Sequence, residues 1–294
     1  MSIDDSVGET GSAADPNVPP PPFRFDGTIA PPVPSATVML LRDGEDGVET
    51  FLLERHVDSD FAGGALVFPG GKVDDRDIDF PLDGWVGCDA EAAMRDLGTD
   101  SEREAIGLYI AAVRETFEEA GILLASRGTS ALTADDLASP SFQVARARLS
   151  DRGDDFDWRP WLAQEDLTLA LGTLAFAAWW TTPEGPHKRF DTRFFWARVP
   201  QAQLSALTPN LVEVVHGRWL TPAAAIAAHE SGEAMIIYPT RSNLAALDAF
   251  STAEAAWLGA ADGRTDRRRI QPVVVNVDGL LMVQHPDGGP PVAV

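Results

Sequence analysis

The alternation of apolar and polar positions divides the chain into strand-like and helix-like stretches. "ATVMLLRD" (36–43) and "VETFLLER" (48–55) are apolar runs of strand length, separated by "GEDG" (44–47). Gly and Asp tolerate the positive φ angles of a hairpin loop. A brief strand, "ALVF" (65–68), follows. Pro69, Gly70 and Gly71 are expected to end it and to let the backbone turn tightly. From Ser101 the period changes. Ile106, Ile110, Val113 and Phe117 recur at steps of three and four, which predicts a helix with one core-facing stripe. Ser101 and Glu104 form a capping-box pattern at its start, and Gly121 supplies its stop. "ILLA" (122–125) then reads as a buried strand.

The pattern is helical but looser from about 130 to 168. Strands are expected at "LAFAAWWTT" (174–182), "RFDTRFFWARV" (189–199) and "VEVVHGRWL" (212–220). "TPAAAIAAHESG" (221–232) opens with a good N-cap and first-turn pair and predicts a short helix; "TRSNLAALDAF" (240–250) predicts another. "PVVVNVDGLLMVQHP" (272–286) reads as a hairpin around Asn276–Gly279. There is no internal repeat. Strands and helices interleave without a regular βαβ beat, so an α+β or α/β sandwich is expected rather than a doubly wound sheet.

Outside these elements, residues 1–33 are acidic and then proline-rich, and are expected to form a disordered tail, with Phe23-Arg24-Phe25 as a candidate docking segment. Order is expected from near Ser35. The main domain is placed at 34–252, with an acidic excursion at about 74–100 and a C-terminal hairpin extension at 253–294. The 294 residues are 45% hydrophobic, enough for a substantial core, and carry a formal net charge of −22. That charge argues against a general nucleic-acid binder and against binding to an anionic membrane surface. An anionic substrate would need a local basic patch or a bound metal. Cys88 stands alone, so an intrachain disulfide and a Cys/His zinc site are both excluded; it reads as a half-buried small residue. The N-terminal residues show no signal-peptide pattern and no apolar run reaches about 18 residues, so a cytoplasmic setting is expected.

The chemistry concentrates in "VRETFEEAGI" (113–122). Glu115, Glu118 and Glu119 share one helix face, away from the apolar stripe. Three carboxylates on one face repel one another, and a hard divalent cation with oxygen ligands would relieve that. Arg114 is placed to bridge to a neighbouring carboxylate. The plain alternative is a solvated acidic helix end.

"GGKVD" together with "RETFEEAGI" resembles the signature of the Nudix hydrolase superfamily: Gly, five residues, Glu, seven residues, then Arg-Glu-apolar-x-Glu-Glu-x-Gly-apolar. Arg114, Glu115, Glu118, Glu119, Gly121 and Ile122 match its second half, with polar Thr116 at a usually apolar position. Gly70 and Gly71 match the first half, and Asp77 stands where Glu is usual. Gly71 and Arg114 are further apart than in the ordinary signature, by roughly 29 residues. One branch of the superfamily, which includes an acyl-coenzyme A diphosphatase, carries such an insertion. The resemblance implies an α+β fold, an α/β/α sandwich with a mixed central sheet, and Mg²⁺- or Mn²⁺-dependent hydrolysis of a nucleoside diphosphate derivative. It implies Glu118 and Glu119 as metal ligands, Glu115 as a third ligand or a base, the Gly70 carbonyl as a further ligand, and Arg114 as their structural partner. Glu213, on a later strand before Trp219, is the candidate base or ligand; its plain alternative is an exposed strand-edge acid.

For the substrate, "LLERHVDSDFAGGALVFPGG" (52–71) resembles the family's coenzyme A motif at Arg55, Gly64 and Phe68–Gly71, but Asp60 occupies the place of its second arginine. Arg55, Gly71, Lys188, Arg189 and Arg193 are the substrate-binding candidates. The last three read either as phosphate contacts or as a charged strand edge. Trp179 and Trp180 read as core or as base-stacking residues. Coenzyme A or acyl-coenzyme A is the expected substrate. The alternatives are another nucleotide (ADP-ribose, NADH, a dinucleoside polyphosphate) and a catalytically silent nucleotide-binding domain. A small molecule is the expected partner, with a homodimer as a further expectation.

Overall fold

A computed structural model describes residues 29–293, apart from 58, 60–61, 82–83, 152, 186–187 and 211–213. Most of the expected proline-rich tail, including Phe23-Arg24-Phe25, lies outside the described residues, as do Asp60 and Glu213. Among the described residues no helix is long and apolar enough to cross a membrane.

The strand Val33–Gly44 shows why the fold is layered. Its side chains alternate between faces, as any strand's must. Ala36, Val38 and Leu40 enter one apolar cluster, while Met39 and Leu41 enter another. Both faces are therefore covered, and the run is apolar almost throughout. Antiparallel to it, through Leu41↔Thr50 and a turn at Glu45-Asp46, lies Gly47–Arg55. On its other side runs Phe190–Arg198, parallel, in register from Val33↔Phe190 to Leu41↔Arg198. The strand order continues to Leu174–Thr181 and Arg269–Ile270 at one end, and to Ala65–Val67 and Met235–Ile236 at the other. Val214–Leu220 pairs with Gly47–Arg55, and Gly70–Lys72 with Val33–Gly44. The mixed sheet has the helix Glu102–Ala120 on one face, and Tyr238–Leu247 with Ala253–Ala261 on the other. This is the expected α/β/α sandwich.

The helix Glu102–Ala120 begins where the capping pattern places it. The Ser101 hydroxyl accepts from the Glu104 N–H, while the Glu104 carboxylate reaches the N–H of Asp100 rather than that of Ser101. It ends at Gly121, whose φ of 75° is the left-handed cap that glycine adopts freely. Thr116, polar at an apolar position, returns its hydroxyl to the Ala112 carbonyl at 2.7 Å and so stays buried without an unpaired donor.

Two expectations need correction. "ILLA" is not a strand: Ile122–Leu124 are buried coil, and the strand is Ala125–Arg127. The Gln203 amide satisfies both backbone groups of Leu123, accepting at 3.2 Å and donating at 3.0 Å, which replaces a strand neighbour. Gly70 and Gly71 do not form a tight turn either; they lie in Gly70–Lys72, paired with Ser35–Thr37. Space selects them: a Cβ on Gly70 would fall 2.5 Å from the Ala36 carbonyl, and one on Gly71 2.3 Å from Glu115 Oε1.

The excursion after residue 74 is built of short elements: Asp75–Ile78, Trp85–Val86 and the helix Ala90–Leu97. Ala93 and Leu97 are buried in the cluster under Glu102–Ala120, and Gly107 leaves room there for Ile78. Near the C-terminus, Val273–Val277 and Leu280–Gln284 pair as a hairpin through Asp278 and Gly279, both at positive φ.

Candidate active site

A cavity of about 1440 Å³ opens beside the C-terminal half of Glu102–Ala120. Glu115, Glu118, Glu119, Gly70 and Gly71 line one wall; Arg55 and Lys188 are also in its lining. The fold thus brings two distant segments together: Gly70–Lys72 from the sheet, and the last two turns of the helix.

Arg114 organises this wall. Only 7% of it is exposed. Its Nε and Nη2 grip Asp77 in a two-pronged pair at 3.0 and 2.8 Å. Nη2 also donates to the Lys72 carbonyl at 2.8 Å. Nη1 donates to Glu115 Oε1 at 2.9 Å and to Glu118 Oε1 at 2.8 Å. Asp74 stands 3.7 Å away. Glu119 turns the other way and accepts from the Gly70 N–H at 2.9 Å. One guanidinium therefore serves three carboxylates directly, with two more carboxylates close by.

The electrostatics follow from that imbalance. Burial works against the charge on Arg114, but Glu115, Asp77 and Glu118 more than offset it and hold the guanidinium well above its ordinary range. Burial raises Glu115, with Arg114 pulling it back. Burial, followed by repulsion from Glu115, pushes Glu118 up to about 8. Asp77 is raised by burial and drawn back by Arg114. The wall holds more carboxyl groups than its one guanidinium could neutralise if all were ionised. Its donors are all hard oxygens, the chemistry that suits Mg²⁺ or Mn²⁺. Among the described residues no three carboxylate, imidazole or thiol groups already surround one point, because Arg114 stands between Glu115 and Glu118. The donor set fits a divalent cation, which would draw on carboxylates that Arg114 now holds.

The other candidates separate. Arg55 ends its strand at the cavity, and Lys188 is half-buried there. Arg189 and Arg193 do not join them. Arg189 donates to the carbonyls of Thr182, Pro183 and Ala30, pinning the chain that enters the first strand. Arg193 gives two donors to the Leu97 carbonyl and one to Asp191, and lies 3.8 Å over the Trp179 ring. The basic cluster read from the sequence is thus divided: Lys188 and Arg189 precede the strand Phe190–Arg198, and Arg193 lies within it, facing Leu97 and Trp179. Trp179 belongs to that buried arrangement, while Trp180 is buried at the edge of the cavity against Tyr238. Cys88 is pushed up to about 11, by burial and then by Asp89, and so carries no thiolate near neutral pH. Sequence reasoning did not assign a site role to Asp77 or to the Lys72 carbonyl. Asp77 had a signal, its place in the signature; a backbone carbonyl has none.

A family model described as the NUDT19 Nudix domain matches residues 90–247. A curated protein of Homo sapiens, acyl-coenzyme A diphosphatase NUDT19, is 31% identical over 221 residues, covering 64% of this chain and 57% of that protein. The chain thus spans a little over half the length of this curated relative. The crystal structure of a NUDIX hydrolase from Alicyclobacillus acidocaldarius superposes with a TM-score of 0.62 at 26% identity, covering 79% of this chain and 97% of that one.

Proposed function

Since this chain belongs to the NUDT19 Nudix domain family, whose wider superfamily generally uses divalent cations, we propose that it hydrolyses the pyrophosphate of coenzyme A or an acyl-coenzyme A with Mg²⁺, or Mn²⁺ in its place. The observation that carries the reading is the under-neutralised wall around Arg114, facing a cavity large enough for a nucleotide derivative.

Glu118 and Glu119 are the ligands in this reading, with Glu115 as a third ligand or as the base that takes a proton from water. The Gly70 carbonyl is a further candidate ligand. A bound divalent cation supplies charge neutralisation at the pyrophosphate and a more acidic water. Asp77 and Arg114 hold Glu115 and Glu118 at the wall, and a cation would take over part of what Arg114 now holds. Arg55 and Lys188, two of the cations in the cavity lining, are the candidates in this reading to meet substrate phosphate. Glu213 remains a candidate base from its place in the sequence.

The test is hydrolysis with Mg²⁺ across coenzyme A, an acyl-coenzyme A, ADP-ribose, NADH and a dinucleoside polyphosphate, with products read by mass spectrometry. The expected products are 3′,5′-ADP and a 4′-phosphopantetheine species, and a chelator abolishes their release. One sequence feature favours a second reading, hydrolysis of another nucleotide: Asp60 stands where the coenzyme A motif has an arginine, and an aspartate repels phosphate. Cleavage confined to the other compounds would establish that reading instead. Absence of any cleavage would return the chain to a nucleotide-binding role.

A further inference from the structure

We propose that Arg146, which lies outside the signature, is the positioning residue for Glu118 and Glu119; the proposal rests on the reading of these two glutamates as metal ligands. The helix Glu102–Ala120 carries its three site glutamates near its C-terminal end and has no basic residue in its last turn. That end is the negative pole of the helix dipole, so carboxylates there are disfavoured and a cation is wanted. Arg146 supplies it from a different helix, Pro140–Ser150.

The contacts are to the glutamates' own backbone. Arg146 Nε donates to the Glu118 carbonyl at 3.0 Å, and Nη2 to the Glu119 carbonyl at 3.3 Å. Nη2 also donates to the Thr208 carbonyl at 2.5 Å. The Thr208 and Asn210 N–H groups return to the carbonyls of Ala120 and Glu119, at 3.0 and 2.9 Å. One guanidinium thus locks the last turn of the site helix to the segment that precedes Val214–Leu220. Gly121 serves this arrangement as well as the helix cap, since a Cβ there would fall 2.8 Å from Arg146 Nη1. Among the described residues Arg146 forms no ion pair; its contacts are to backbone carbonyls, so its charge answers the helix end. A shift of this turn would move the two ligand side chains together.

Arg146→Met and Arg146→Lys test the proposal in the full chain, with Mn²⁺ binding followed by electron paramagnetic resonance alongside kcat, KM and Tm. Arg146→Met is expected to weaken Mn²⁺ binding and lower kcat by about 10- to 100-fold, with KM little changed. Arg146→Lys keeps the charge but not the fork, and should recover part of the Mn²⁺ affinity. Folded Arg146→Met with wild-type Mn²⁺ affinity and kcat, and only a lowered Tm, would make Arg146 merely structural and overturn the proposal. If Arg146→Met does not fold, Arg146→Lys decides: a few-fold weaker Mn²⁺ affinity at unchanged Tm supports the role, and wild-type affinity overturns it. Mn²⁺ binding needs no substrate. If no compound of the panel is hydrolysed, the coenzyme A reading fails while the Arg146 test still stands.

Discussion

Arg114 and Arg193 are two buried arginines, 7% and 4% exposed, in charged stretches that look equally functional in the sequence. Around Arg114, the carboxylates of Asp77, Glu115 and Glu118 share one guanidinium at a cavity wall. Around Arg193, the Asp191 carboxylate, the carbonyls of Leu97 and Asp191 and the Trp179 ring close the arrangement, and Arg269 shares Asp191 at 3.3 Å. Their acidities shift in opposite directions. Carboxylates hold Arg114 up against burial, whereas burial pulls Arg193 down with Asp191 opposing. A cluster closed by its own hydrogen bonds is a structural clasp. One left with surplus charge at a cavity has the capacity to bind something.

The largest effect should come from the open cluster. Glu118→Gln is expected to lower kcat on the order of 1000-fold while Tm holds, because in the proposed reading it removes a metal ligand but no core contact. Wild-type turnover in a metal-replete assay would end the ligand assignment. Arg193→Met should behave in the opposite way. Leu97 loses both side-chain donors and Asp191 loses its closest cation, so stability falls by roughly 3–5 kcal/mol in denaturant titration, with kcat of the folded fraction unchanged. A loss of kcat without a loss of stability would erase the distinction between the two arginines.

Smaller effects refine it. Lys188→Ala should raise KM a few-fold and leave kcat alone, as expected for uniform binding of substrate phosphate; an unchanged KM would remove Lys188 from the substrate contacts. The smallest effect concerns pH. Burial alone would raise the Asp191 carboxyl, but hydrogen bonds from Thr181 and Trp179 and the charge of Arg193 hold it below its ordinary value. A depressed folded value adds stability that is present above the unfolded pKa, near 4, and is lost as pH falls through the folded one. Wild-type stability should therefore fall below about pH 4 more steeply than that of Asp191→Asn. Parallel acid profiles would show that the clasp gains nothing from this charge.

Local pattern made much of the molecule legible. The hairpin at Glu45-Asp46, the span and both caps of Glu102–Ala120, and the hairpin at Asp278-Gly279 all follow from residues within a few positions of each other. So does the shared face of Glu115, Glu118 and Glu119. The short strands Met235–Ile236 and Arg269–Ile270 and the coil at Ile122–Leu124 were not legible, since each depends on what lies beside it in space.

The sequence by itself determined the periodicities, the caps and the signature, because steps of two, three and four report backbone geometry directly. Only the tertiary structure decided which charges became a site. Arg114 meets Asp77 across 37 positions, Arg146 meets Thr208 across 62, and Arg193 meets Leu97 across 96. A side chain's charge is written in the chain, but its remaining hydrogen-bonding capacity depends on partners brought from elsewhere by packing.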